Sequence, residues 1–175
     1  GVVRTVMLLK LLTFAKGISG VSLQLVKKII QLFNKDVLPV IPKKGSVGAS
    51  GDLAPLGHMA LVLIGEGEVF FEGKRLKTAL ALKKAKIKPL SLKPKEGLSL
   101  INGTQVSTAI AIKTLLDGKN LLLSADIAGA VSVENSFSSR KVFQKRIHDL
   151  KQHPGQRTSA KNIYKLLNKS EIVHS

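Results

Sequence analysis

The 175-residue sequence has no cysteine and no tryptophan, one tyrosine, and only 11 acidic residues against 28 lysines and arginines. Without cysteine there is no disulfide scaffold, thiolate metal site or cysteine nucleophile, a composition that fits a reducing cytoplasm. No run of about 18 apolar residues is free of charge, so no membrane span is expected. The nearest candidate, residues 1–15, is interrupted by Arg4 and Lys10. That segment begins basic and turns apolar, but no small-residue cleavage site follows it as a signal peptide requires. The histidines His58, His148, His153 and His174 are scattered, without the close His–His or His–carboxylate spacing of a metal site.

The shortage of acids leaves a net charge of +17, enough to drive sequence-independent attraction to nucleic acid. The basic residues are dispersed, however, over Lys27-Lys28, Lys43-Lys44, Lys83 to Lys88, Lys93-Lys95, Arg140-Lys141 and Lys145-Arg146. Six phenylalanines and one tyrosine offer little for base stacking, and most phenylalanines sit in apolar surroundings. Zinc-finger spacing, an aromatic RNA-binding signature and a phosphate loop are all missing. Lysine-rich solvated helix faces account for the charge, and no nucleic-acid partner is expected.

With 44% hydrophobic residues the chain has enough for one globular domain. The pattern is mainly α. Helices are expected over 2–16, 22–33 (Leu23, Val26, Ile29, Ile30 and Phe33 on one stripe), 53–64, 78–85 with Thr78 as cap, and 94–100. A long helix is expected from Thr104 to about Gly129, with further helical patterns over 132–138, 141–150 and 157–168. Pro39 and Pro42 imply an extended segment, and Glu68 to Leu76 reads as a small β-hairpin turning at Glu72-Gly73.

Between the extended segment and the third helix lies Gly45-Ser46-Val47-Gly48-Ala49-Ser50-Gly51-Asp52. Small residues surround one serine, and the chain then switches into an apolar helix. Asp52 suits the N-cap, and Pro55 falls in the first turn, where a missing N–H costs little. Such a loop brings Ser50 to the positive end of a helix. Ala49-Ser50-Gly51 has a particular chemical capacity. With no side chain on Gly51, its nitrogen can reach the Ala49 carbonyl and close a five-membered ring across Ser50. Loss of water from the carbinol and from the Ser50 hydroxyl leaves an exocyclic methylene, an electrophile that no standard side chain supplies. Taken alone, Ala-Ser-Gly is also ordinary turn composition.

The string from Gly45 to Leu56, continued by His58-Met59-Ala60-Leu61, resembles the aromatic amino acid ammonia-lyases, and within them the histidine ammonia-lyase group most. Lys95-Glu96-Gly97-Leu98-Ser99-Leu100-Ile101-Asn102-Gly103-Thr104-Gln105 is similar to a second segment of that family, and weaker similarity runs from Arg4 to Gly20 and around Ser132-Val133-Glu134. The resemblance implies a partial ammonia-lyase fold of the fumarase/aspartase-like helical type. It makes Ala49, Ser50 and Gly51 the precursors of a 4-methylidene-imidazol-5-one group that needs no metal. It assigns Asn102, otherwise a turn residue beside Gly103, to hydrogen-bond the ring carbonyl and draw electron density from the methylene. Asp52 caps the helix and is a candidate to assist cyclisation. His58 matches a family histidine and is read as structural. Gly57 replaces a frequent alanine without steric consequence.

The activity implied is non-oxidative deamination of L-histidine to urocanate and ammonia by a cytoplasmic homotetramer acting on a small amino-acid substrate. Gly-Ser-Val-Gly before the tripeptide and Ala-Pro-Leu-Gly-His-Met after it favour histidine over phenylalanine, while phenylalanine and tyrosine lyases and aminomutases stay as alternatives. The chain is read as one partial domain over 1–175 carrying the loop 45–52, without the N-terminal segment bearing the family's tyrosine base and without the C-terminal helical core. Tyr164, the sole tyrosine, does not match the base's motif. On this reading the isolated chain is inactive, forms its ring incompletely and exposes apolar helix faces. The rival reading is a basic helical binding module that has kept the ancestry without the chemistry.

Overall fold

The computed structural model describes residues 1–173, so His174 lies outside the described residues. They form two compact units, Gly1–Thr114 and the remainder from Leu115. The first is built from α1 (Val2–Ala15), α2 (Leu23–Asn34), β1 (Leu38–Pro39), α3 (Leu53–Leu63), β2 (Glu68–Phe71), β3 (Lys74–Lys77), α4 (Thr78–Lys84), α5 (Glu96–Ile101) and the start of α6 (Gln105–Asn135). The second contains the rest of α6, a 3₁₀ turn at Arg140–Phe143, α7 (Lys145–His148) and α8 (Pro154–Leu166). The mainly helical fold read from the sequence is the fold observed.

Apolar periodicity sets the first core. Val6, Met7 and Phe14 of α1, Leu25, Ile29 and Leu32 of α2, and Leu56, Met59, Val62 and Leu63 of α3 are all buried. They pack with Val69, Leu82, Ile87 and Leu100 in one cluster. The Ser22 hydroxyl starts α2 by accepting from the Leu25 N–H at 3.3 Å. Glu96, buried at the start of α5, accepts from the backbone N–H of Ser22 at 2.9 Å and of Lys93 at 2.7 Å, tying α2 to α5.

The hairpin turns where expected, with positive φ at both Glu72 (52°) and Gly73 (73°), the geometry a two-residue connection needs to follow strand twist. It belongs to a larger sheet than the sequence suggested. β1 pairs antiparallel with β2 (Leu38 opposite Phe70), giving the order β1-β2-β3. A two-residue strand containing proline is too short to leave a periodic trace, and Pro39 is tolerated because β1 is an edge. Thr78 is the first residue of α4 and Lys77 its cap; the Thr78 hydroxyl is buried and takes no cap bond. The patterns expected separately near 104–129 and 132–138 merge into α6, because residues 130–135 continue the helix without a break.

In the second unit Ala130, Leu167 and Val173 form a small core with Val133, Phe143 and Ile163 around it. Much of α6 is left bare: Leu115, Leu121 and Leu122 are about 70% exposed, and Leu116, Ile127 and Val131 are also exposed. The expectation of open apolar helix surface describes this helix.

Lys10 is 1% exposed on α1, where its Nζ donates to the Ser99 carbonyl at 3.1 Å and lies 5.4 Å from the centre of the Phe14 ring. Burial lowers its pKa to about 8. Between that value and the ordinary lysine value of about 10.4 the unfolded chain binds more protons than the folded one, so this lysine makes stability rise with pH across the window. Urea unfolding at about pH 7 and about pH 10 is expected to show that rise in the parent and its loss in Lys10→Met. The variant should be about 1 kcal/mol more stable at neutral pH, the gain being limited by the donor that Ser99 loses.

Candidate active site

The segment after β1 leads into an exposed loop in which Ala49 and Ser50 both face solvent. The backbone is left-handed at Gly48 (φ 71°), Ser50 (φ 60°) and Gly51 (φ 101°). For serine this conformation costs about 1 to 2 kcal/mol, so the surrounding contacts must hold it. Gly51 is pressed against Gly103: a Cβ at Gly51 would stand 2.6 Å from the Gly103 carbonyl oxygen and 2.8 Å from its nitrogen. The next N–H, that of Asp52, donates to the same Gly103 oxygen at 2.7 Å.

Asp52 occupies the N-cap position of α3, and its carbonyl accepts the first intrahelical bond from Leu56. Its side chain makes no bond to α3, which corrects the simple cap role. The fully buried carboxylate reaches α6 instead. There it accepts from the Ser107 N–H at 2.8 Å and the Ser107 hydroxyl at 2.5 Å. Thr104 immediately precedes α6, its carbonyl accepting from Thr108, so Ser107 stands at the third helical position, where a cap normally bonds. The cap of α6 is therefore supplied by a residue distant in sequence. The Ser46 hydroxyl donates to the same carboxylate at 2.6 Å, closing the loop across residues 47–51. Burial pushes the Asp52 carboxyl up, but the bonds from Ser107, Ser46 and the backbone of Ser107 and Val106 outweigh it and hold the group below its ordinary value.

Asn102, exposed at the C-terminus of α5, precedes the glycine that Gly51 touches. Tertiary structure thus brings the tripeptide end and the Asn102-Gly103 turn together. Ser46, Gly103 and Ser107 are the site residues that sequence reasoning passed over. The Asp52–Ser107 pair joins positions 55 residues apart, and no local signal marks it. His58 is exposed on α3 beside a shallow cleft lined by Ala54, Leu61, Ile64 and Leu92. An alanine at Gly57 would meet nothing within 4 Å. Among the described residues no three His, Cys, Asp or Glu side chains gather into a metal site, and no helix is long and apolar enough to cross a membrane. His148, His153 and Tyr164 belong to the second unit.

Comparison with known proteins supplies the relationship. The sequence model of the aromatic amino acid lyase family matches residues 1–175. The chain is 50% identical over 166 residues to histidine ammonia-lyase of Alkaliphilus oremlandii (strain OhILAs), covering 95% of this chain and 33% of that protein. Among solved structures, Pantoea agglomerans phenylalanine aminomutase superposes with a TM-score of 0.91 at 34% identity, covering 98% of this chain and 33% of that one. Histidine ammonia-lyase from Trypanosoma cruzi superposes with a TM-score of 0.86 at 34% identity, covering 93% and 32%. The chain spans about a third of the length of the curated relatives it matches. A family match over the whole sequence, joined to the same fold, means that this chain belongs to the aromatic amino acid lyase family.

Proposed function

We propose that this chain carries the electrophile-forming segment of a histidine ammonia-lyase, which converts L-histidine to urocanate and ammonia without oxidation. The observation that carries the reading is the contact of Gly51 with the Gly103 backbone, beside a left-handed Ser50. A cradle that a single Cβ would fill suits a residue whose nitrogen must attack the carbonyl two residues before it.

In the ring closure proposed, the Gly51 nitrogen bonds the Ala49 carbonyl carbon. The resulting hydroxyl leaves as water with the Ser50 amide proton, and Ser50 then loses its α-proton and side-chain hydroxyl as a second water. The 4-methylidene-imidazol-5-one so formed supplies an electron-poor methylene that helps ammonia to depart. Asn102 holds the ring carbonyl, and Asp52 fixes the loop against α6. The left-handed conformation of Ser50, a costly one for a residue with a side chain, is held between the Ser46–Asp52 bond and the contact with Gly103, and this restraint favours closure. Histidine as substrate rests on relatives 45–50% identical that are histidine ammonia-lyases. The phenylalanine and tyrosine aminomutases superpose equally well at 34–38% identity, so fold alone does not select the substrate. A homotetramer in the cytoplasm completes the reading, supported by the uncovered apolar side chains of α6.

Intact mass tests the chemistry. In the complete enzyme the chain is expected to weigh two waters less than its sequence dictates, and Ser50→Ala is expected to restore the full mass. The 175-residue chain alone is expected to show partial dehydration and no urocanate absorbance on incubation with histidine. An undehydrated complete enzyme, or one releasing no urocanate, rejects the reading.

A further inference from the structure

We propose that the cleft between α7 and α8 is a binding site for a small aryl carboxylate. The cleft lies wholly within the second unit and encloses about 430 Å³, a volume in the range of small-molecule sites. Nothing in the proposed deamination chemistry uses it.

Helix geometry assembles its walls. Arg157, Ala160, Lys161 and Tyr164 follow the i, i+3, i+4, i+7 spacing, so they share one face of α8. Opposite stand Phe143 from the 3₁₀ turn, and Lys145 with Asp149 at the two ends of α7. Phe143, the buried Ala160 and the Tyr164 ring supply an apolar interior. The Arg140 guanidinium lies 5.0 Å from the centre of the Tyr164 ring and fixes its place.

Charge selects the ligand's other end. Lys145, Arg157 and Lys161 face a single acid, Asp149. Lys145 takes one oxygen of that acid at 2.5 Å, while Arg157 reaches the other only through Nε at 3.7 Å. Lys161 has no ion-pair partner among the described residues. Uncompensated positive charge therefore remains at the mouth, and the guanidinium edge of Arg157 matches a planar, two-oxygen anion. His148 is part of the wall. Its Nε2 lies 2.9 Å from the Val142 carbonyl and its Nδ1 3.0 Å from the Gln156 amide nitrogen, so both ring nitrogens have protein partners. An apolar pocket with cations at its rim discriminates against inorganic anions, which leave the walls wet, and against neutral aromatics, which leave the cations unmatched.

The chain carries its own probe. Tyr164 is the only tyrosine and there is no tryptophan, so tyrosine emission of the 175-residue protein reports this cleft alone. Titration with phenylacetate is expected to give a saturable change in emission. Arg157→Gln and Lys161→Gln are each expected to weaken binding by about tenfold, the loss of a charge-assisted bond. Both positions are exposed on α8 and glutamine is a good helix former; circular dichroism confirms folding, and either folded variant carries the test. Phenylacetamide is expected to give no saturable change. Absence of saturation with phenylacetate, unchanged affinity in the folded variants, or displacement by inorganic phosphate at equal concentration overturns the assignment.

Discussion

Asp52→Ala is expected to lower stability by about 3 to 5 kcal/mol, the range for leaving a buried, hydrogen-bonded charge network without its centre. The carboxylate is fully buried and accepts from the Ser46 hydroxyl and from both the N–H and hydroxyl of Ser107. Truncation strips α6 of its cap and leaves a void at the buried carboxylate, while the loop loses the bond that closes it. Thermal unfolding should fall by about 10 °C for a chain of this size. Asp52→Asn keeps an acceptor oxygen but not the charge, and should lose roughly half as much.

The pH dependence has a definite sign. Because the folded Asp52 carboxyl lies below its ordinary value, it contributes stability above the unfolded pKa of about 3.9, and that contribution is lost as pH falls through the folded pKa. Glu96, also buried, is pushed up by burial but held below its ordinary value by the backbone N–H of Lys93 and the bonds from Ser22, so it acts in the same direction. The parent should therefore lose stability in acid more steeply than Asp52→Asn. Denaturant unfolding as a function of pH checks this, and parallel curves would show that the carboxylate does not hold α6.

Gly51→Ala should be comparably severe for a different reason. The added methyl would stand 2.6 Å, 2.8 Å and 3.0 Å from the oxygen, nitrogen and carbonyl carbon of Gly103, with φ at 101°. These neighbours are backbone, held by the Asp52 N–H bond, and cannot swing aside. A cost of about 3 kcal/mol or more is expected from the clash and the backbone strain together. Two other glycines calibrate it. A Cβ at Gly103 would meet the side-chain oxygen of Gln105 at 2.3 Å; that amide can rotate once the 3.1 Å bond from its nitrogen to the Thr13 hydroxyl is broken, so Gly103→Ala should cost about 1 kcal/mol. Gly57→Ala meets nothing and should fall within about 0.5 kcal/mol of the parent. Melting temperatures should rank Gly57→Ala above Gly103→Ala above Gly51→Ala. In the complete enzyme Gly51→Ala should also keep its full, undehydrated mass. A stable, dehydrated Gly51→Ala protein would dismiss the cradle.

Much of the architecture was legible in the residues because it depends on local signals. The helical spacing of α2 and the Glu72-Gly73 turn each act within a few positions and both appear, but the buried face of α2 runs through Leu25, Ile29 and Leu32 and leaves Leu23 and Ile30 of the expected stripe exposed. The run after Asp52 was readable as a buried helix for the same reason. β1 escaped because two residues carry no period, and the Thr78 cap failed because a hydroxyl in a first turn does not reveal whether it will point to the backbone or into the core.

The site divides along the same line. The order of atoms in Ala49-Ser50-Gly51 determined which ring can close, since a hydroxyl to eliminate and an unhindered nitrogen are properties of covalent sequence. Whether that segment is held for closure depends on Gly103, Ser46 and Ser107. Only folding makes those residues neighbours, because a contact between distant positions leaves no mark in the spacing of either. The same limit applies to Asp52: its carboxyl group and its place before a helix were written in the chain, but the helix it caps was chosen by packing.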